Sequence, residues 1–336
     1  MASVPSFSVI ITNHDYERWV GAAIASVMAQ TWPQVQCIVV DDGSTDGSRA
    51  VIEAIPGITA LFGPNEGQSR AAARGLAVAT GDVVMLLDAD DLLAPDACAT
   101  IAAHWRDGIV AANFRLAVLR DDTPTDETLP VRPFHHGDHL AHFLATGGFT
   151  TAPTSGNAFS RVFVEEVFAH GEGLDANATD YWLCLSALLT DCTVVIDRVL
   201  GSYRIHGSNI SSYGATRSIG QIQRELLTAH LAQRTAQTIA ARHGRRFRRL
   251  PHIAGPYELK WYLLLRGAPS PKWRLPEIPR LWAIRRAVAA FARLEGLSLA
   301  RRLSNILQIV AFAVLPRPLR RKLAVDGFGI RNDVGL

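Results

Sequence analysis

The first hundred residues alternate short apolar runs with amphipathic segments, and this alternation constrains the fold more than any other feature of the sequence. The apolar runs predict strands at residues 7–11, 36–40, 58–62 and 82–87. Between them, the segments 18–30 and 67–80 carry apolar residues at helical spacing. This strand–helix order predicts an α/β fold whose mostly parallel central sheet has helices on both faces.

Polar turns follow three of the predicted strands. They have the sequences TNHD at residues 12–15, DDGSTD at 41–46 and DADD at 88–91. Right-handed crossovers place the carboxyl ends of parallel strands along one edge of a sheet. We therefore expect the three turns to line a single crevice.

Length and charge divide the chain into two regions. A chain of 336 residues accommodates one large α/β domain and an appended region. Residues 1–214 carry 11 basic and 25 acidic groups, whereas residues 215–336 carry 23 basic and 6 acidic groups. We therefore predict an acidic α/β domain over residues 1–214 and a helical, Arg-rich C-terminal region over residues 215–336.

The four cysteines and the N-terminus indicate the cellular compartment. The cysteines show no C-x-x-C spacing and three lie in apolar runs, which favours buried reduced thiols. The first residues lack the basic segment that begins an export signal. We therefore expect a cytoplasmic protein.

The acidic turn after the fourth predicted strand offers ligands for a cation. Asp88 and Asp90 directly follow apolar residues 83–87. Mg²⁺ and Mn²⁺ prefer oxygen ligands and are commonly held by one or two carboxylates together with substrate phosphates. Alternatively, the turn only caps the helix that begins near Pro95, because Asp is favoured at caps and turns.

Four motifs occur in order in this part of the chain. They are SVIITN at residues 8–13, VVDDGSTDGS at 39–48, NEGQS at 65–69 and GDVVMLLDADD at 81–91. Together they resemble the ordered signature of the family-2 glycosyltransferases. The resemblance implies the GT-A nucleotide-diphospho-sugar transferase fold, with a nucleotide-binding half at about 1–105 and an acceptor half at about 106–214.

The same resemblance implies an activity. A family member transfers a sugar from a nucleotide-diphospho-sugar to a hydroxyl group, with inversion at the anomeric carbon and with Mn²⁺ or Mg²⁺. The expected acceptor is a glycan or a lipid-linked glycan, in polysaccharide biosynthesis of the cell envelope. The Q-x-x-R-W element of polymerising enzymes is absent, which favours transfer of a single sugar.

Residues for the donor follow from the matched motifs. By resemblance, Asp42 holds the nucleobase, Asp88 lies near the ribose or the metal, and Asp90 ligates the metal together with Asp88. The residues expected to bind the nucleotide are Thr12, Asn13, Asp15, Asp42, Arg70 and Asp88. Alternatively, Asp41 and Asp42 form an Asx turn after their strand.

Residues for catalysis lie further along the chain. The segment ATDYWL at 178–183 matches the family position of the catalytic base, which makes Asp180 the expected general base. The alternative is that Asp180 or Thr179 caps the helix predicted at 180–189. The segment 201–211 resembles the element that closes the catalytic domain, so Arg204 is expected at the diphosphate and His206 in the metal shell. The alternative for His206 is a hydrogen-bonded structural role.

The acceptor side is less well defined by the sequence. Residues 120–154 lose periodicity and are rich in Pro, Gly and His, which predicts a loop region. The expected acceptor contacts are Thr154, Ser155 and Trp182. The chain departs from the usual family residues at His14, Asp15 and Ala73, so nucleotide preference stays open. It also departs at Thr179, where Glu is frequent beside the expected base.

The basic C-terminal region suggests a partner of its own. Within residues 294–315, the uninterrupted apolar part is too short to span a bilayer and is flanked by arginines. This pattern predicts a surface helix in peripheral contact with an anionic membrane, at the inner face. The alternative is a helix that packs on the catalytic domain. We expect no nucleic-acid partner, because no recognition motif is present.

Other functions remain as alternatives. The chain can be a catalytically inactive glycan-binding or assembly subunit of a polysaccharide pathway. A nucleotidyltransferase is less favoured, because residues 1–214 contain no lysine for a phosphate-binding loop. The lack of G-x-G-x-x-G after the first strand and of G-x-S-x-G excludes a dinucleotide oxidoreductase and a nucleophile-elbow hydrolase.

Overall fold

The computed structural model describes residues 4–120, 122–134, 137–171, 179–207, 218–247, 256–265, 279–293 and 297–324. The strands are β1 (Phe7–Asn13), β2 (Val35–Asp42), β3 (Thr59–Gly63), β4 (Val83–Asp88), β5 (Leu92–Leu93), β6 (Ala111–Arg120), β7 (Thr123–Leu129), β8 (Asn157–Ser160) and β9 (Thr193–Ile205). The helices are α1 (Val20–Met28), α2 (Ser48–Glu53), α3 (Gln68–Leu76), α4 (Ala97–His104), α5 (His139–Thr146), α6 (Arg161–His170), α7 (Thr179–Thr190), α8 (Ile219–Arg242), α9 (Pro256–Leu265), α10 (Arg280–Arg293), α11 (Leu299–Val314) and α12 (Arg317–Lys322). A single 3-10 turn covers Thr154–Gly156.

The strands of the described residues form one sheet in the order β3-β2-β1-β4-β8-β6-β9-β5, with β7 paired to β6. The pairs β3–β2, β2–β1 and β1–β4 are parallel, and so is β6–β9. Between these two parallel groups, β8 is antiparallel to both β4 and β6. The predicted α/β fold is confirmed, and one antiparallel strand joins its two parallel parts.

Helices cover both faces of the parallel strands, because successive side chains of a strand point to opposite sides. Val9 and Ile11 of β1 share a core cluster with Ile24 of α1. Ile10, which lies between them in sequence, instead lies next to Gly75 of α3. The sheet therefore has α1 on one face and α3 on the other, as the sequence predicts.

The region 120–154 contains regular structure, so the prediction of a loop there was wrong. β7 forms an antiparallel pair with β6, and α5 follows before the 3-10 turn. β7 has the sequence TPTDETL and is largely exposed, so it lacks the apolar alternation by which strands are recognised. α5 has only eight residues, too few for a clear helical period.

The four cysteines are free thiols. Burial raises the pKa of Cys37, Cys98 and Cys184 to about 12. These three match the expectation of buried thiols, whereas Cys192 is partly exposed. The cytoplasmic location stays a prediction.

The described residues fall into two compact units. The first extends up to Phe134 and includes Thr150–Gly207 and Thr235–Arg245. The second contains α5, the first part of α8 and the helices α9 to α12, so the predicted helical C-terminal region is confirmed. Its core includes Ile222, Leu263 and Phe312. The boundary predicted at residue 214 lies outside the described residues. None of the helices in the described ranges has the length and apolarity needed to cross a membrane.

Gly75 allows α3 to approach the sheet closely, since a Cβ there would overlap Ile10 Cγ2 and lie 3.1 Å from Val40 Cγ2. We expect Gly75→Ala to lower the free energy of unfolding by about 1–3 kcal/mol, because the added methyl group overpacks the core. Gly21 is a matched helical control, whose added Cβ would lie 3.3 Å from Val51 Cγ1. Gly21→Ala should change stability by less than about 1 kcal/mol. Urea unfolding compares the variants, and an equal loss in both would contradict the packing role.

Candidate active site

The register of the parallel strands brings the ends of β1, β2 and β4 to one edge of the sheet. Thr12 lies opposite Val40 of β2 and Asp88 of β4, and Asn13 lies opposite Asp41. The polar turns that follow these strands therefore start at the same level. This alignment places Thr12, Asn13 and Asp88, three of the predicted nucleotide-binding residues, along one edge.

Asp42, at the end of β2, accepts three hydrogen bonds. Its Oδ1 accepts from Glu66 N at 3.1 Å and from Arg74 Nη2 at 2.6 Å. Its Oδ2 accepts from Gly67 N at 2.7 Å. Gly67 has a φ of 93°, a conformation that glycine adopts without strain, and directly precedes α3. The buried carboxylate of β2 is thereby tied to the N-terminus of α3.

Arg74 is a residue of this site that the sequence analysis missed. Its guanidinium pairs with the carboxylate of Asp42, and a Cβ at Gly63 would overlap Arg74 Nη1. The glycine that ends β3 therefore leaves space for the arginine. Arg74 follows the predicted Arg70 by four positions, a spacing that keeps both on the same side of a helix. Arg70 itself is half exposed, and its Nη1 lies 3.5 Å from Glu66 Oε1.

Asn13 and Asp15 link the turn after β1 to the turn after β2. Asn13 Nδ2 donates to Asp41 Oδ2 at 2.8 Å and to Ser44 Oγ at 3.1 Å. Asp15 has a φ of 57°, and its Oδ1 accepts from Thr45 N at 2.6 Å. Asn13 Oδ1 is buried and has no hydrogen-bond partner among the described residues. Both side chains hold the two turns together, and the binding of a ligand by Asn13 stays a prediction.

The acidic turn after β4 gathers three carboxylates. Oxygens of Asp88, Asp90 and Asp91 lie within 4.8 Å of one another. Gln68 Nε2 donates to Asp88 Oδ1 at 2.6 Å, and His206 Nε2 lies 2.9 Å from Asp90 Oδ2. Carboxylate oxygens with a neighbouring imidazole are a donor set that fits Mn²⁺ or Mg²⁺.

Asp91 is occupied by protein groups on both of its oxygens. Ser155 Oγ donates to Asp91 Oδ2 at 2.6 Å, and Arg204 N donates to Oδ1 at 2.8 Å. Ser155 Oγ also accepts from Asp88 N at 3.1 Å. Asp91 therefore connects the 3-10 turn and β9 to the acidic turn, which leaves Asp88 and Asp90 as the carboxylates suited to a cation.

The acidic turn concentrates negative charge where water is largely excluded. Burial, followed by the charges of Asp90 and Asp180, raises the pKa of Asp88 to about 8. Burial also raises the pKa of Asp90, and the hydrogen bond from His206 offsets part of this rise. Burial and the two neighbouring carboxylates raise the pKa of Asp91 well above its ordinary value. A bound cation would favour the charged forms instead.

Asp180 lies in the first turn of α7, close to the acidic turn. Its charge is one cause of the raised pKa of Asp88. Ser69 Oγ and Thr179 Oγ1 are 2.7 Å apart, so the start of α7 meets the start of α3. Tyr181 N donates to Asp180 Oδ1 at 2.8 Å, and burial raises the pKa of Asp180. The predicted base and the predicted metal-binding turn thus lie in one place.

His206 packs against two aromatic rings, Tyr16 and Trp19, that the sequence analysis missed. The ring of Trp19 stacks on the imidazole, with centroids 4.1 Å apart and 26° between the planes. The ring of Tyr16 meets the imidazole edge-on at 5.6 Å. Burial, followed by the charge of Asp90, raises the pKa of Tyr16. The two rings fix the orientation of His206 toward Asp90.

Arg204 connects the acidic turn to the β6–β7 hairpin. Its Nε donates to Asp90 O at 2.7 Å, and its guanidinium pairs with Asp122. Arg18 Nη2 also lies 2.7 Å from Asp122 Oδ2. Burial lowers the pKa of Arg204, while the charges of Asp91 and Asp90 act in the opposite direction. The expected contact of Arg204 with a diphosphate stays a prediction.

The three predicted acceptor residues occupy two different elements. Thr154 and Ser155 form the 3-10 turn, where Ser155 is buried and bonded to the acidic turn. Trp182 is buried in α7, and a Cβ at Gly171 would lie 2.8 Å from its Cζ3. Contact of these residues with an acceptor stays a prediction.

Similarity to solved structures defines the class of fold. TarS of Staphylococcus aureus in complex with UDP-GlcNAc matches with a TM-score of 0.55 and 13% identity, over 91% of either chain. A mannosyltransferase of Pyrobaculum calidifontis in complex with GDP-mannose and Mn²⁺ matches with a TM-score of 0.50 and 17% identity, over 97% of this chain and 87% of that chain. The protein has the GT-A fold of glycosyltransferases.

Sequence similarity then indicates a family. Residues 8–168, just under half of the chain, match glycosyl transferase family 2. An uncharacterized glycosyltransferase of Nostoc sp. is 35% identical over 216 residues, which is 60% of this chain and 65% of the relative. The glycosyltransferase YibD of Escherichia coli is 36% identical over 99 residues, 28% of this chain and 29% of the relative. The chain thus covers less than two thirds of either relative.

Ser155 provides a test of how the acidic turn is built. We expect Ser155→Ala to lower the free energy of unfolding by about 1–3 kcal/mol, because a buried oxygen of Asp91 and the N–H of Asp88 lose their partner. Ser160→Ala is the matched control, since Ser160 precedes α6 and its side chain makes no capping hydrogen bond. Thermal unfolding measures both variants. Equal stability of Ser155→Ala and the parent protein would contradict the bridging role.

Proposed function

We propose that this protein is an inverting glycosyltransferase that moves a single sugar from a nucleotide-diphospho-sugar to a hydroxyl acceptor. The observation that carries the proposal is that Asp42 and Asp88 end strands at one edge of the sheet and that the charges of Asp90 and Asp180 act on Asp88, although 138 positions separate Asp42 from Asp180. The proposed acceptor is a glycan or a lipid-linked glycan. The proposed domain organisation is a catalytic region over residues 1–214 and a C-terminal region over 215–336.

The donor nucleotide is proposed to bind at the ends of β1 and β2. Asp42 is rigidly held by Arg74 and by the N-terminus of α3, and the buried Asn13 Oδ1 faces the same group of turns. The positive end of α3 favours an anionic ligand beside it. TarS binds UDP-GlcNAc and the Pyrobaculum enzyme binds GDP-mannose, so uridine and guanosine diphosphate sugars are the first donors to test.

The divalent cation is proposed to bind between Asp88 and Asp90, with His206 beside them. The fit rests on the close carboxylates, on the imidazole fixed by Trp19, and on charge repulsion that a cation relieves. Mn²⁺ or Mg²⁺ in this place acts as a Lewis acid for the departing diphosphate. The Pyrobaculum mannosyltransferase was solved with Mn²⁺.

Asp180 is proposed as the general base. In an inverting transfer the acceptor oxygen bonds to the anomeric carbon while the bond from that carbon to the diphosphate oxygen breaks, and the acceptor proton passes to a carboxylate. Burial raises the pKa of Asp180, which strengthens its carboxylate as a proton acceptor. The N–H of Tyr181 holds one oxygen, so the other is available for the acceptor hydroxyl.

The second candidate is a catalytically inactive subunit that binds a glycan. It predicts no release of nucleoside diphosphate from any donor in the parent protein. A panel of uridine and guanosine diphosphate sugars, with Mn²⁺ and simple sugar acceptors, separates the two candidates. Donor-dependent release that increases with an acceptor supports the transferase.

Asp90→Asn tests the cation site, since it removes a charge and keeps the shape of the side chain. We expect the affinity for Mn²⁺, measured by calorimetry, to fall at least about tenfold, and the transfer rate to fall about 10²–10³-fold. Asp96→Asn is the matched control, because Asp96 lies on the surface and pairs with Arg198 at 3.1 Å. Mn²⁺ affinity in Asp90→Asn equal to that of the control would remove the cation from the proposal.

Asp180→Asn tests the general base. We expect kcat to fall about 10²–10⁴-fold, because the amide cannot accept the proton of the acceptor. The dissociation constant of the donor should stay within about threefold, since the nucleotide is proposed to bind at β1 and β2. Asp107→Asn, at an exposed position, serves as the control. Unchanged kcat in Asp180→Asn would assign the base to another residue.

A further inference from the structure

Helix α11 is apolar on two faces. On one face, Ile309, Phe312 and Ala313 are buried in the core of the second unit. On the other face, large apolar side chains are exposed to solvent. An apolar face of a helix normally packs against apolar neighbours. The described part of the second unit supplies such neighbours to one face only.

The exposed side chains form a single line along the helix, which we name the α11 stripe. The stripe consists of Leu299, Leu303, Leu307, Val310 and Val314, with exposed fractions of 72, 52, 69, 44 and 63%. The intervals between them are those of one helix face. The 16 residues of α11 give a length of about 24 Å. A contiguous exposed apolar surface of this kind marks an interaction site.

The charge around α11 indicates the chemistry of the partner. Residues 280–324 contain ten basic residues and one acidic residue. Arg302 donates to the carbonyl oxygens of Leu297 and Ala292, and Arg286 donates to that of Leu144. These partners are uncharged, so the guanidinium groups keep their net positive charge. Further exposed basic side chains are Arg285, Arg293, Arg301 and Lys322.

An anionic lipid surface supplies both an apolar layer for the stripe and negative charge for the basic residues. A second copy of this chain would bring the same positive charge against it, which disfavours self-association through this face. We propose that the α11 stripe docks the second unit on a bilayer that contains anionic phospholipid, with α11 lying parallel to the membrane plane. This inference does not depend on the proposed catalytic function.

The test is co-sedimentation of the full chain with vesicles of phosphatidylcholine, with and without roughly 30 mol% phosphatidylglycerol. We expect binding to the anionic vesicles, and we expect it to weaken as salt screens the basic residues. Val314→Glu places a charge in the stripe and should reduce the partition coefficient about tenfold. Leu303→Glu combined with Leu307→Glu should reduce it further.

Val162→Glu is the matched control. Val162 lies in α6 of the first unit and is 66% exposed, compared with 63% for Val314. Val162→Glu and Val314→Glu are therefore the same substitution, at residues of similar exposure, with the same change in net charge. They differ only in their position on the protein. Val162→Glu should bind within about twofold of the parent protein. Thermal unfolding confirms that each variant is folded, and donor binding shows that the catalytic site is unchanged.

Three outcomes would overturn the proposal. In the first outcome, the parent protein does not bind anionic vesicles. In the second outcome, Val162→Glu and Val314→Glu lose vesicle binding equally. In the third outcome, the parent protein is a dimer by light scattering, Val314→Glu makes it a monomer, and neither binds vesicles. That result would assign the α11 stripe to contact with a second copy.

Discussion

Repulsion between buried carboxylates at one edge of the sheet determines which neighbouring groups the site requires. Asp42 is balanced by the guanidinium of Arg74, and Asp90 by the imidazole of His206. Asp88 accepts a hydrogen bond from the uncharged amide of Gln68, and its pKa is raised to about 8. Buried charge of this kind is tolerated when it is paired, protonated or bound to a metal. The arrangement therefore favours a cation beside Asp88, whose described hydrogen-bond donor is uncharged.

The sequence predicted β1, β2 and β4 because their central residues are apolar and buried on both sides of the sheet. It failed at β7, whose polar residues are exposed and whose strand exists through pairing with β6. It also failed at α5, which is too short for its period to be recognised. A strand or helix can be recognised from the sequence when the burial of one face requires apolar residues at regular spacing. β7 has no such spacing, because backbone hydrogen bonds to β6 hold it in place.

Within the site, the sequence identified residues whose chemistry is unusual and missed residues whose role depends on their neighbours. Asp88, Asp90 and Asp180 stand out because clustered carboxylates next to strand and helix ends suit cation and proton chemistry. Arg74 acquires its role only when the fold brings Gly63 and Asp42 next to it, from two different strands. The sequence also cannot decide whether a polar side chain such as Ser155 contacts a ligand or the protein, because the same hydroxyl does either.

The proposed cation would compete with protons at the acidic turn, and this competition would link the chemistry of the site to the stability of the sheet edge. The folded-state pKa of Asp88 lies above the ordinary value of about 4, so the folded chain binds this proton more tightly than the unfolded chain. The resulting stabilisation is complete below about pH 4 and is lost as the pH rises through about 8. At higher pH the carboxylate is charged, and the proposed divalent cation would take over the role of the proton. A bound cation would therefore stabilise the ends of β1, β2 and β4, which carry these groups.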